Sequence, residues 1–225
     1  MGCDIHMMAE IKSRGGWSAV GRIFKSSRKE IPTMYYDKDS FDSLGEWGAQ
    51  YSFEPYDGRN YTLFGFLADV RNGYGFAGID TGDAIKPISE PRGVPKDASG
   101  VFKAWSEYWS PDAHSHSWFT LKELLDADWN QEITKRGVVT EQEYKIFKKN
   151  GKPQEWSVAA MGRNIITISE SHYKDLIREE GVEYRIQIEW KEKLSEYCKD
   201  FIKSIKQLEK LGSPEEVRIV FFFDN

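Results

Sequence analysis

The sequence predicts an α+β fold: a single domain on a mainly antiparallel sheet with N- and C-terminal strands, flanking helices and long functional loops. Three observations predict it. Strand patterns stand at both ends of the chain, helices and loops fall between them, and no repeat or linker divides the 225 residues. Hydrophobic residues make up 40% of the chain and aromatic residues 14%, which is core enough to exclude global disorder.

Cys3 to Lys12 reads as a strand, because Ile5, Met7, Ala9 and Ile11 alternate with Asp4, His6, Met8 and Glu10. Ser13 to Gly16 supplies a turn, and Trp17 to Phe24 can return as the hairpin partner. Lys25 to Arg59 lacks a clean period and reads as a long aromatic and acidic loop, the kind that forms lids or binding surfaces. Within it, Tyr35 to Asp42 has carboxylates but neither the glycine nor the closing glutamate of a calcium loop, so a solvated loop is expected.

Asn60 is placed to cap a short helix running to Val70, with Leu63, Phe64, Leu67 and Val70 on one face and Asn72-Gly73 ending it. Tyr74 to Pro95 is loop. Ala98 to Trp109 is helical, burying Val101, Phe102, Trp105 and Trp109. Thr120 and Glu123 make a capping box that launches a helix from Leu121 to Trp129. A further helix covers Glu141 to Lys149, and Ile165 to Ile168 is a short β-like run.

Val182, Tyr184, Ile186, Ile188 and Trp190 alternate strictly, as in a strand. Leu194, Tyr197, Cys198, Phe201, Ile205, Leu208 and Leu211 then line one face of a single helix stopped by Gly212. Glu216 to Phe223 is apolar on both faces and so belongs in the middle of the sheet.

Charge and targeting narrow the function classes. Thirty-one basic against 36 acidic residues give a net charge of −5, without a basic stripe, which excludes long nucleic acid as a partner. No apolar stretch reaches membrane-spanning length or forms a signal peptide, and two cysteines without a Cys-x-x-Cys pair fit a reducing compartment. A cytoplasmic protein without a membrane partner is expected, with homo-oligomer formation left open.

The strongest chemical pattern is Asp4-x-His6 together with His114-x-His116. Residues two apart on extended chain point to one side, so each pair can offer two ligands to one centre. Three imidazoles and a carboxylate suit a divalent metal, zinc or manganese. Glu10 shares the face of Asp4 and His6 and is a further ligand or a general base, so Asp4 and Glu10 are the candidate catalytic carboxylates. The alternative is that His114 and His116 satisfy loop carbonyls ahead of a capped helix.

A second cluster surrounds the first helix. Arg59 and Asn60 at its start fit an anion or phosphate site, with Asp69 and Arg71 at its end. The structural reading of the same residues is an ordinary N-cap and a surface ion pair. Arg92 lies in a rigid loop that reaches a ligand or merely turns. Trp105, Trp109, Trp118 and Trp129 are stacking candidates whose spacing equally fits core packing. Asp224 and Asn225 read as a frayed end, or as polar groups beside the site.

The chain resembles an uncharacterised bacteriophage and bacterial family whose members open with Met-Gly-Cys-Asp-Ile-His. The matching stretches are Met1 to His6, Gly58 to Tyr61, Leu67 to Arg71, Pro91 to Pro95, His114 to Trp118 with Thr120 and Leu121, Asp128 with Trp129, and Phe222 to Asn225. The resemblance brings no established activity and implies that these stretches are shared elements. A phage setting adds, by analogy, the countering of host immune signalling based on small nucleotides, in the host cytoplasm.

The expected function is therefore a protein acting on a small phosphorylated, nucleotide-like ligand. In the leading form it is a metal-dependent hydrolase or phosphodiesterase, with Asp4, His6, His114 and His116 holding the metal. Arg59, Asn60, Asp69, Arg71, Arg92 and Trp118 would hold the ligand. The alternatives are a non-catalytic sponge for such a signal and an interaction protein that inhibits a host protein through the aromatic loop Tyr35 to Tyr56.

Overall fold

The alternating N-terminal segment forms β1 (Asp4–Ser13), which turns and returns as β2 (Gly16–Val20) with Ala9 opposite Val20. Gly16 sits at φ +121°, a conformation that disfavours any residue with a Cβ. These elements belong to a computed structural model that describes residues 2–20, 23–25, 49–51 and 55–225. The Tyr35 to Asp42 stretch, and most of the loop from Lys25 to Arg59, lie outside the described residues.

On the other edge of β1 runs β9 (Val217–Asp224), antiparallel, with Asp4 opposite Asp224 and Ile11 opposite Val217. Beyond β9 lies β5 (His114–Thr120), so the first sheet has the order β2-β1-β9-β5. β9 is central, as its composition predicts, and Val217 through Phe223 are all buried. Phe221, Phe222 and Phe223 are fully covered, which requires apolar cover on both faces and contributes roughly 1.5–3 kcal/mol per side chain. A separate pair joins β3 (Ile23–Lys25) to β4 (Ala49–Tyr51).

One face of the first sheet carries Ile5, Met7, Ala9, Ile219, Phe221 and Phe223. Against it pack α1 (Tyr61–Ala68), α3 (Leu121–Asp126) and α7 (Lys199–Leu208). The opposite face offers Met8, Val220 and Phe222 to α2 (Gly100–Tyr108), through Val101, Phe102 and Trp105. The expected caps are in place: Asn60 accepts from Leu63 N–H, and Thr120 and Glu123 form both bonds of the capping box.

A second sheet, β6 (Glu132–Thr140), β8 (Glu183–Lys193) and β7 (Ile165–Ser169), has the order β6-β8-β7. β6 is antiparallel to β8 and β7 parallel to it. α4 (Glu141–Asn150) covers this sheet through Tyr144 and Phe147, and the short α5 (Glu170–Tyr173) adds Tyr173 at its margin. The α+β class holds, with two main sheets in place of one.

Two helices differ from expectation. α3 ends at Asp126, and Trp129 leaves the helix to donate its indole N–H to the Leu124 carbonyl at 2.8 Å. The single helix expected from Leu194 to Leu211 breaks at Cys198 into α6 (Leu194–Tyr197), α7 and a 3₁₀ turn. Leu194 and Ser195 N–H are tied to Gln131 and Trp129 carbonyls beside β6, whereas α7 lies on the first sheet's core. One straight axis does not serve both attachments.

The loop after α1 joins the two sheets. Asn72 exchanges side-chain hydrogen bonds with Ile85 N–H and carbonyl, Gly82 pairs with Lys135, and Arg136 N–H donates to Thr81 O at 2.8 Å. A Cβ on Gly82 would lie 1.9 Å from the Thr134 carbonyl oxygen, so only glycine permits this approach. Among the described residues no helix is long and apolar enough to cross a membrane.

Candidate functional site

The polar end of the first sheet is built by the start of β1 and the end of β9. Asp4 N–H donates to Asp224 Oδ1 at 2.9 Å, and the Asp4 carboxylate forms a two-pronged pair with Arg59, whose Nε lies 2.7 Å from Oδ1. The Arg59 hydrogen bonds hold Asp4 below the usual carboxylate range. The guanidinium passes over Gly2, where a Cβ would come within 2.8 Å of Nη1. His6 packs between Trp109 at 4.3 Å and Phe222 at 4.9 Å, with the edge of Trp105 at 5.4 Å. Its Nε2 is 3.3 Å from Asp224 Oδ2, near enough for charge attraction but without an aligned hydrogen bond.

His114 and His116 do not share a side, which corrects the expectation from their spacing. His114 pairs with Phe223 but Ser117 with Phe221, so Ser115 and His116 together oppose the single position Phe222. This is a β-bulge, with Ser115 at φ +49°. The extra residue sends His114 to the face of Phe223, with ring centroids 6.1 Å apart, and His116 to the face of Phe222, at 5.3 Å. His116 Nε2 is engaged by Ser106 Oγ at 2.6 Å. His114 Nδ1 meets Ser115 Oγ at 3.0 Å, while its Nε2 is buried near Asp224 and Asn225 without an aligned bond. Burial pushes both imidazoles below the ordinary histidine range.

The expected zinc or manganese centre does not fit this arrangement. His114 is on the other face from His6 and His116, and Asp4 is committed to Arg59. Among the described residues no three His, Cys, Asp or Glu side chains are grouped to hold a metal ion.

Glu10 is not placed to activate water. It is fully buried; Oε1 accepts from Ser99 N–H at 2.8 Å, and Oε2 from Arg218 Nε at 2.7 Å. Arg218 bonds Asp97 as well and lies 4.0 Å above the Trp17 ring. The group therefore ties β1 and β9 to the start of α2.

The remaining expected ligand contacts divide. Arg71 reaches the sheet end, with Nη2 3.3 Å from Asn225 Oδ1, and stands over the Tyr61 ring. Asn60 is the N-cap and Asp69 is the left-handed C-cap of α1, so both serve that helix. Arg92 pairs with Glu123 at 2.8 Å and lies 5.1 Å from the ring centre of Trp118, away from Arg59 and Asp4. Asp4, His6, Arg59, Arg71 and His114 thus gather with Asp224 and Asn225 around the strand ends; Glu10, Asn60, Asp69, Arg92 and Trp118 do not.

A second feature is not among the sequence-predicted sites. On one face of the second sheet Lys135 stands opposite Trp190, between Ile133 and Gly137 in the alternation. Its Nζ is 2.8 Å from Thr62 Oγ1 and lies 4.6 Å from the ring centre of Tyr197 and 5.5 Å from that of Trp156. Lys135 is 5% exposed, and burial brings its amine down to about 8. Lys135 itself lines a narrow cleft with Thr62, whereas Trp156 and Tyr197 also line a separate groove of about 570 Å³, with Trp190, Glu192 and Lys199 among others. The signal in the sequence is a lysine at an inward position of an alternating strand.

Comparison with known protein-family models, curated proteins and solved structures gives no match. The fold and its sites therefore define the class no further than an α+β protein with a polar sheet end and an aromatic groove.

Proposed function

We propose that the protein binds a small phosphorylated, nucleotide-like ligand at the end of the first sheet and sequesters it without cleaving it. The observation that carries this reading is that Arg59 and Arg71, from separate segments, bond Asp4 and Asn225 at the neighbouring ends of β1 and β9, with Arg71 also acting on His114. Arg59 Nη1 is not used by Asp4. Guanidinium N–H groups suit phosphate oxygens. The two carboxylates expected to activate water are both bound to arginines, which favours holding the ligand over hydrolysing it. In the phage setting implied by the resemblance, the ligand would be a nucleotide signal of the host.

Calorimetric titration with adenosine monophosphate, ADP-ribose and a cyclic dinucleotide tests the proposal. At least one should bind, and Arg59→Ala and Arg71→Ala should each weaken it about tenfold or more, the scale of a lost charge-assisted hydrogen bond. Chromatography of ligand released by denaturation should recover it intact. Recovery of a cleaved product, or no binding by any of the three, overturns the reading.

A further inference from the structure

The strand edges of the two sheets are not closed alike. The outer edge of β6 is covered: Val138 and Ser157 exchange backbone hydrogen bonds at 2.8 and 3.0 Å, and Arg136 N–H donates to Thr81 O. Along β5 lies a loop whose Gly93 N–H donates to the His116 carbonyl at 2.8 Å. β7 is bonded to β8 on one side. On its other side no strand or loop pairs with it among the described residues, beyond a local turn from Ile165 N–H to Gly162 O.

The direction of the free backbone groups follows from the register. Asn164 O accepts from Glu183 N–H, on the side of β8, at 2.8 Å. Backbone groups of successive residues in an extended strand point to opposite edges. Ile166 and Ile168 therefore bond β8, whereas Thr167 N–H and C=O point outward, with the Ile165 carbonyl and the Ser169 N–H. Proteins blunt such an edge with charge, proline or a bulge. The sequence of β7, Ile-Ile-Thr-Ile-Ser, carries none of these, and four of its five residues are β-branched. Ile166 is 41% exposed and shares a face with Ile168, which packs on the second sheet's core.

We propose that β7 pairs antiparallel with β7 of a second copy of this chain, about a twofold axis at Thr167. Each Thr167 N–H then donates to the carbonyl of Thr167 of the partner subunit, and each Ile165 carbonyl accepts from the partner's Ser169. Ile166 falls opposite the partner's Ile168 in the narrower, non-hydrogen-bonded position, where apolar side chains cover one another. Arg163, without an ion pair among the described residues, precedes β7, and Glu170 follows it. Antiparallel pairing brings these unlike charges together at both ends. That each group meets its own symmetry mate favours a second copy over a foreign strand. The joined sheet ends on both sides at the covered edge of β6, so assembly stops at two.

Sedimentation velocity of the full chain from about 1 μM to about 1 mM tests the proposal. The mass should rise from 26.0 kDa toward twice that value. One strand pair is smaller than a stable interface of roughly 1,200–2,000 Å², so monomer and dimer should exchange. Thr167→Pro removes a donor that β8 does not use, and should weaken association about tenfold or more. Ile166→Lys should weaken it as well, by placing a charge on the edge. In wild-type hydrogen exchange, the Thr167 amide should be protected at the high concentration and not at the low one, while the Ile166 amide is protected at both. A single 26.0 kDa species throughout, which leaves the edge to a foreign strand, overturns the proposal. So does a dimer unchanged in both folded variants, or a Thr167 amide indifferent to concentration. Circular dichroism establishes folding; should the variants not fold, the wild-type Thr167 amide decides.

Discussion

Glu10 and Arg218 show how burial changes the meaning of a residue. By spacing Glu10 belongs with Asp4 and His6, but it is fully covered and bonded at both oxygens. Removing one partner leaves a buried charge facing too few dipoles. Glu10→Ala should therefore cost about 3–5 kcal/mol in urea-monitored unfolding. Ser115 carries a different lesson. Its left-handed backbone creates the bulge that separates His114 from His116. Ser115→Val should destabilise by about 2 kcal/mol, because a β-branched side chain resists positive φ, while Ser115→Gly should stay within about 0.5 kcal/mol. Neither residue type nor spacing announces a bulge, so the division of the imidazoles was not legible. Lys135 was legible in principle, because a charged residue at an inward position conflicts with the alternation of the strand around it.

Among the elements, the most legible were those where local chemistry and period agree. β1 and β8 have two-residue periods, β9 is a continuous apolar run, and α1 and α3 begin at recognisable caps. Thr120→Ala should cost about 1 kcal/mol in thermal or urea unfolding, the usual value of an N-cap. β5 and β6 were hidden for separate reasons. β5 is a sheet edge of His and Ser alternating with little apolar content, and it pairs within its sheet only with β9. β6 interrupts its apolar face with Lys135, which contacts Trp156 and Tyr197, and with Gly137, on which Trp156 is seated. The unbroken apolar stripe from Leu194 to Leu211 concealed a change of axis at Cys198, because both halves bury the same kind of side chain.

At the scale of the molecule, proton uptake links the sheet end to stability. His114 and His116 titrate below the ordinary range when folded, so the unfolded chain binds protons more readily. Their contribution is complete above pH about 6.5 and is lost as pH falls through the lowered folded values. The Tm should drop on acidification from about pH 7 to about pH 5, and less steeply in His116→Gln, as read by differential scanning calorimetry. The same logic makes Lys135 a cost at neutral pH. Its folded value of about 8 lies below the ordinary 10.5, so stability from this group is lacking below pH about 8 and returns as pH rises toward 10.5. Lys135→Met should therefore be more stable than wild type near pH 7, by about 1–3 kcal/mol, with the gain narrowing as the pH approaches that of the free amine. The overall class was legible because it follows from strand patterns at both ends of the chain. The split into two sheets was not, since it depends on β6 and on a loop approach that composition does not encode.

That loop approach governs how the molecule comes apart. Gly82 seats the loop against Thr134, and the neighbouring Arg136 side chain binds Asp80, Asp83 and Glu189. These contacts form a seam between two bodies of unequal size. In the wild type, amide hydrogens of Ile186 and Ile219 should exchange only through a common global opening. Gly82→Ala should release the smaller body first, so that Ile186 loses protection while Ile219 keeps it in native-state hydrogen exchange.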